Sequence, residues 1–222
     1  MKEKLDPNKV SVNTFDKLAL RYQEKYMDLA MYIDTFEPFI EALPKQDARV
    51  LELACGPGNI TRYLLSKRPQ LSILATDLAP NMLILAQQNN PQVDVALLDS
   101  RELNRLDARF DAIMCGFCLP YLNQQQVLNL ISDAAQRLTD NGVIYLSAME
   151  GDSLGPRVDT SSDGDKMYTY FHQGADIVSA LELAGFSIIE LKRKLQPSPI
   201  GEVTDLFITA RLDKGISRAL RS

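Results

Sequence analysis

Residues Val50–Thr61 read VLELACGPGNIT: an apolar run with an acid inside it, then two glycines on either side of a proline. Gly56 and Gly58 allow backbone angles closed to other residues and let a ligand lie against the main chain. Such a turn can cradle a phosphate, admit a nucleoside, or simply turn a strand into a helix. No Gly-Lys-Ser/Thr follows the glycines, which excludes a P-loop. The dinucleotide fingerprint needs a third glycine where this chain has Thr61. Glu52 would also set negative charge beside a pyrophosphate, whereas it suits a ligand carrying positive charge.

Working outward, apolar runs recur at 49–53, 71–75, 93–97, 110–115 and 143–148. Helical patterns separate most of them, near 60–67, 81–89 and 124–138; after Asp99 there is room for only a short one. Continuous apolar strands alternating with helices predict a parallel sheet covered on both faces. Before this core, Phe15, Leu18, Ala19, Tyr22 and Tyr26 fall on one helical face. Pro38 interrupts a second helical segment and Pro44 closes the region. Beyond the core, 175–184 reads as a helix closed by Gly185, and 186–191 and 203–211 as strands. The QPSPIGE connection between those strands is too short for a helical crossover, so the last strand should pair antiparallel.

The expected fold is α/β: a Rossmann-like, seven-stranded, mostly parallel sheet with helices on both faces and an antiparallel last strand. We expect one domain over 1–222. It divides into a helical cap (1–45), a cofactor-binding core (46–149), a substrate lid (150–172), a helix with strands (173–211) and a tail (212–222). The lid is the stretch GDSLGPRVDTSSDGDKMYTYFH, long and rich in glycine and serine.

In an open parallel sheet, ligands bind beyond the carboxyl ends of the strands. Val50–Leu53 delivers the glycines to that edge. Asp77, 19 residues beyond Gly58, ends the second strand, where a carboxylate can accept from both ribose hydroxyls of a nucleoside. Asp99 ends the third strand on the same edge. A glycine turn and two carboxylates on three consecutive strand ends are far more specific than the glycines alone.

Composition narrows the partners. The 222 residues carry a net charge of −5, and Arg211, Lys214, Arg218 and Arg221, the sole basic cluster, read as a solvated tail. No nucleic-acid partner is therefore expected. No apolar run reaches the roughly 18 residues of a membrane span, and MKEKLDPNKV lacks the apolar core of a signal peptide. The expected location is cytoplasmic, which the odd count of three cysteines also fits. Cys115 and Cys118 have the spacing of a thiol redox centre, but Cys115 ends an apolar run rather than opening a helix. One histidine and three cysteines leave no expected metal site.

With these residues in view, the chain resembles the class I S-adenosylmethionine-dependent methyltransferases over roughly 14–211. VLELACGPGNIT is similar to the family's glycine motif, with Ala54 where a glycine is usual. ATDLAPNML (75–83) resembles the second-strand motif, LLDSREL (97–103) the third, and LTDNGVIYLS (138–147) the fifth. LELAGFSIIEL (181–191) resembles the helix and sixth strand that follow. The resemblance implies S-adenosyl-L-methionine as cofactor, S-adenosyl-L-homocysteine as product, and a small-molecule methyl acceptor, in a monomer or homodimer.

It also implies roles by position. Asp77 would bind the ribose, Leu78 and Met82 would sandwich the adenine, and Asp99 would accept from the adenine amino group, helped by the backbone around Ser100. Glu52 and the Cys115 carbonyl would lie near the methionyl ammonium, above the turn of Ala54, Gly56 and Gly58. Tyr22, or alternatively Tyr26, would close over the methionyl carboxylate. Methyl transfer is an in-line displacement governed by orientation, so no compact catalytic motif is expected. Tyr121 and His172 are the candidates for a catalytic group, with Glu150 and Asp152 as further acids near the acceptor. The alternative readings are a nucleoside-binding regulatory protein of the same fold without turnover, a nicotinamide-linked oxidoreductase and a thiol redox protein.

Overall fold

The computed structural model describes residues 5–152, 155–161, 163–198 and 201–213. Helices α1 (Pro7–Lys17), α2 (Ala19–Tyr26) and α3 (Ile33–Ala42) come first, with a 3-10 turn at Ala30–Tyr32. Then β1 (Arg49–Leu53), α4 (Asn59–Lys67), β2 (Ser72–Asp77), α5 (Pro80–Asn89), β3 (Asp94–Leu97) and β4 (Phe110–Cys115) alternate. After α6 (Gln124–Arg137) come β5 (Leu138–Glu150), a hairpin of β6 (Arg157–Thr160) and β7 (Lys166–Thr169), α7 (Gly174–Leu183), β8 (Phe186–Ser198) and β9 (Gly201–Leu212).

The main sheet has seven strands in the order β3-β2-β1-β4-β5-β9-β8. Its first five are mutually parallel, and β9 runs antiparallel to both β5 and β8, as expected from the short connection. Alternation along buried strands feeds two cores. Leu51, Leu53, Ile113 and Cys115 pack with α6 and α7 on one face. Val50, Ala112, Met114 and Tyr145 pack with α3, α4 and α5 on the other. Both faces of β1 and β4 are thus removed from water, which is why these strands read as unbroken apolar runs.

The strand order reverses between β1 and β4: the chain steps outward to β3 and returns to the far side of β1. Loops leaving the carboxyl ends of β1 and β4 diverge there and open a crevice. The glycine turn lies on one bank and Gly116–Cys118 on the other.

Three local readings change. Pro38 does not interrupt α3, which runs through it. Its missing N–H frees the Asp34 carbonyl one turn earlier, and that oxygen accepts from Lys192 Nζ at 3.1 Å. The described residues of QPSPIGE, read as a connection, extend the ribbon instead: Pro197 pairs with Glu202 and Ser198 with Gly201. Pro197 is tolerated because β8 is the edge strand of the sheet, with no outer neighbour among the described residues. Of the basic cluster, Arg211 lies in β9 and donates to the Ala42 carbonyl at 3.3 Å; Lys214, Arg218 and Arg221 lie outside the described residues, with most of the 212–222 tail.

The segment read as a lid carries the β6–β7 hairpin, which docks on α1. Tyr168 N–H donates to Ser11 Oγ at 2.8 Å and Thr14 Oγ1 donates to the Lys166 carbonyl at 2.7 Å. Lys17 adds an ion pair with Asp165 at 2.8 Å. Ser11 and Thr14 are buried helix residues because strand backbone supplies their partners. A Ser11→Ala variant leaves the Tyr168 N–H unpaired, at a cost of about 1–3 kcal/mol. Urea unfolding should show that loss, and proteolysis should cut faster within 157–169; an unchanged hairpin would remove Ser11 as its anchor.

Candidate functional site

The turn after β1 is left-handed three times in five residues: Ala54 at φ 53°, Gly56 at 55° and Gly58 at 78°. Ala54 adopts this angle despite its Cβ, at a cost of roughly 1–2 kcal/mol relative to the usual glycine. Gly56 faces the crevice; a Cβ there would sit 3.7 Å from Tyr22 Cε1. Gly58 is needed for packing, since a Cβ would collide with Asn90 Nδ2 and lie 3.1 Å from Ala86 Cα. Gly58 does not line the cavity.

The crevice holds a cavity of about 810 Å³ of empty space, part of it open to solvent. Of the residues selected from sequence, Tyr22, Ala54, Gly56, Asp77, Leu78, Met82, Asp99, Ser100 and Tyr121 line it. Asp77 spans two turns: Oδ2 accepts from Gly56 N–H at 2.8 Å and Oδ1 from Ala79 N–H at 2.9 Å. Burial raises its pKa and these backbone donors pull it back. Tyr22 stacks edge-on with Phe15 at 5.6 Å, and burial raises its phenol well above the ordinary value. Tyr26 contacts the Tyr22 ring at 4.7 Å but is exposed and outside the lining.

Asp99 is held differently. Burial alone would raise its pKa, but Arg101 overcomes this and holds it below the ordinary value. Arg101 Nη2 lies 2.6 Å from Asp99 Oδ2, and Nη1 lies 2.9 Å from Asp6 Oδ2.

Four sequence assignments fall outside the cavity lining. Glu52 is 1% exposed beneath the turn, where Thr61 Oγ1 donates to its Oε2 at 2.6 Å. Burial raises its pKa to about 8. Thr61, which breaks the dinucleotide fingerprint, is therefore the partner of this acid. Cys115 is buried in the β4 core, while Gly116, Phe117 and Cys118 after it reach the cavity. His172 is buried beside a separate depression, with Nε2 3.0 Å from the Leu119 carbonyl; it braces the β4 loop, and burial lowers its pKa. Gly58 is the fourth, for the packing reason above. Nor do the two further acids reach the cavity: Glu150 is paired with Arg193 at 2.6 Å, and Asp152 is exposed.

The sequence reading missed the α1 stripe Asn8, Ser11 and Val12, which with Phe15 faces the cavity. The three- and four-residue spacing was present, one turn before the face that was read. It also missed Phe117, whose φ of 56° is stabilised by N–H donation to Ser147 Oγ at 2.6 Å. Asn59 and Ile60, at the start of α4, complete this end. Among the described residues no cluster of three or more His, Cys, Asp or Glu could hold a metal ion. No helix among them is long and apolar enough to cross a membrane.

Residues 50–142 match a family described as a methyltransferase domain. The chain is 30% identical over 122 residues to a demethylmenaquinone methyltransferase of Deinococcus radiodurans, covering 52% of this chain and 51% of that one. It is 35% identical over 102 residues to a malonyl-[acyl-carrier protein] O-methyltransferase of Bacillus cereus, covering 45% and 36%. It thus spans about half the length, or less, of these curated relatives. In fold it superposes on magnesium protoporphyrin IX methyltransferase of Synechocystis PCC 6803 with bound S-adenosylmethionine, at TM-score 0.71 and 17% identity over 96% of this chain and all of that one. Residues 50–142 are thus similar to a methyltransferase domain, and the chain has the fold of S-adenosylmethionine-dependent methyltransferases.

Beneath the glycine turn, burial holds the Glu52 carboxyl well above the ordinary carboxylate range. Its folded pKa of about 8 lies above the ordinary carboxyl value, so its stabilising effect is complete below about 4.5 and is lost as pH rises toward 8. His172 acts with the opposite sign, below 6.5. Comparison with Glu52→Gln isolates the acid: between pH 6 and 8 the wild type should lose about 2 kcal/mol more than the variant. Parallel unfolding curves across that range would show Glu52 already ionised.

Proposed function

We propose that this protein transfers the methyl group of S-adenosylmethionine to a small, neutral or cationic acceptor. The observation that carries the reading is the meeting, at the β1/β4 crevice, of a left-handed glycine turn with Asp77 and the Leu78–Met82 wall. The fit to the cofactor is chemical. Asp77 uses one lone pair per oxygen on backbone N–H groups, which leaves acceptor capacity for two ribose hydroxyls. Gly56 leaves the main chain open beneath Tyr22, and the start of α4 favours a carboxylate there.

When bound, S-adenosylmethionine supplies an electrophilic methyl on a cationic sulfur. The chain's part is then to orient and to exclude water, where orientation is worth ~7–11 kcal/mol. Tyr22, Phe15 and Tyr121 form an edge-to-face wall, with Phe15 and Tyr121 centroids 4.9 Å apart. Asp77 and Asp99 are the charged residues among those lining the cavity, and Lys, Arg and His are absent from that lining. Such a wall favours flat, apolar acceptors and gives no counter-ion to a carboxylate or phosphate. Tyr121 hydrogen-bonding the acceptor and the 150–172 segment covering it belong to the same reading. We also place the protein in the cytoplasm, consistent with three free, buried cysteines, as a monomer or homodimer without a nucleic-acid partner.

The test is direct. S-adenosylhomocysteine at 100 times its Kd should add about 2.7 kcal/mol of stability, and Asp77→Ala should weaken its binding at least tenfold. With methyl-labelled cofactor, phenols and amines should accept label and aliphatic carboxylates should not. Absence of nucleoside binding would end the reading; transfer to carboxylates alone would end its acceptor class.

A further inference from the structure

Strand β9 runs against its neighbours, so its early residues lie at the edge where β1, β2 and β4 end. Asp205 pairs there with Met149 of β5 on one side and Lys194 of β8 on the other. Phe207, two residues on, shares its face of the sheet, the one packed against α3.

Residues directly opposite in an antiparallel ladder point to the same side, so Lys194 is the natural counter-ion of Asp205. It is turned away. Lys194 Nζ donates to the Met31 carbonyl at 2.6 Å and to Asp34 Oδ1, and Lys192 Nζ lies 3.2 Å from Asp34 Oδ2. Asp34 thus takes two cations, while the half-buried Asp205 has no hydrogen bond or ion pair among the described residues. Burial, with nothing to oppose it, raises its pKa to about 6, which leaves it ionised at neutral pH. A half-buried carboxylate without a partner is costly to keep and fits a place that takes a cation.

Three rings collect on the same face. Tyr32 lies 4.8 Å from Phe117 and 5.8 Å from Phe207, and Phe117 lies 6.4 Å from Phe207, centroid to centroid. The Asp205 charge reaches this group: burial first, and Asp205 next, push the Tyr32 phenol up to about 12. Phe117 also lines the cavity. Its left-handed backbone is held by Ser147 Oγ, and Ser147 is the cross-strand partner of Phe207. The rings therefore lead from the cavity, through Phe117, toward a carboxylate without a counter-ion. Ring faces attract organic cations, and a nearby carboxylate adds to the attraction. A metal ion needs several oxygen ligands, and no such cluster exists among the described residues.

We propose that Asp205, with Tyr32, Phe117 and Phe207, binds an ammonium group carried by the methyl acceptor, apart from the atom that is methylated. This rests on the methyltransferase reading of the cavity and narrows its acceptor class from neutral or cationic to cationic. The diversion of Lys194 to Asp34 is what keeps the subsite free for a ligand's charge.

Calorimetric titration of the S-adenosylhomocysteine complex with choline, and with its uncharged isostere 3,3-dimethylbutan-1-ol, tests it. The wild-type complex should prefer choline about tenfold, the gain expected of a cation on ring faces beside a carboxylate. Asp205→Asn should bring the preference below about threefold, while S-adenosylhomocysteine itself binds as in the wild type. Tyr32→Leu keeps the carboxylate and removes a ring; it should at least halve the preference, and it serves if the Asp205 variant does not fold. A preference kept in either variant, or a wild-type complex that binds both compounds alike or neither, would overturn the subsite while the methyltransferase reading stands. A wild type that does not bind S-adenosylhomocysteine removes both.

Discussion

The carboxylate of Asp77 joins two turns. It accepts from Gly56 N–H on the loop after β1 and from Ala79 N–H on the loop after β2, bonds of 2.8 and 2.9 Å. Both donors belong to segments that leave the regular ladder and would otherwise carry unpaired N–H groups at a partly buried edge. An apolar side chain there would leave two backbone donors without an acceptor and an unsupported left-handed turn. The crevice thus depends on one acid, and the same acid keeps acceptor capacity for a ligand. Shape and chemistry are set together, because the group that holds the loops also faces the cavity.

Charge near that acid is controlled from below. Glu52 sits under the turn, and Asp77 adds to the burial that raises its pKa. Held neutral and bonded to Thr61, Glu52 does not compete with Asp77 for cationic or hydroxylic partners. Its Oε1 has no partner among the described residues, which fits a carboxyl whose charge has been removed rather than balanced. The negative potential of the crevice is therefore concentrated at the strand ends. Beside it, the α4 amino terminus supplies partial positive charge. An amino acid joined to a nucleoside meets complementary potential at its carboxylate and acceptor groups at its ribose.

The fold was legible because its signals are local. Unbroken apolar runs come from strands buried on both faces, and the 19-residue step from Gly58 to Asp77 spans one helix and one strand. Asp77, Leu78 and Met82 were readable because they follow β2 directly. What escaped depends on segments far apart in the chain. Glu52 was read toward the ligand because its position in the motif does not reveal Thr61 closing over it. His172 looked available as a lone histidine, yet it lies buried against the Leu119 carbonyl, 53 residues away. The polar stripe of α1 went unread; it is buried between the cavity and a hairpin more than 150 residues downstream.

Asp77 and Asp99 show why residue type and position were not enough. Each is an acid at the end of a parallel strand, followed within three residues by a turn of helix. The sequence makes them equivalent. Their partners separate them: Asp77 is held by neutral backbone N–H groups, whereas Asp99 is held by the guanidinium and backbone N–H of Arg101. A residue two places along the chain, Arg101, thus ties Asp99 into the fold. In doing so it reaches Asp6 and fastens the amino-terminal helix across the site.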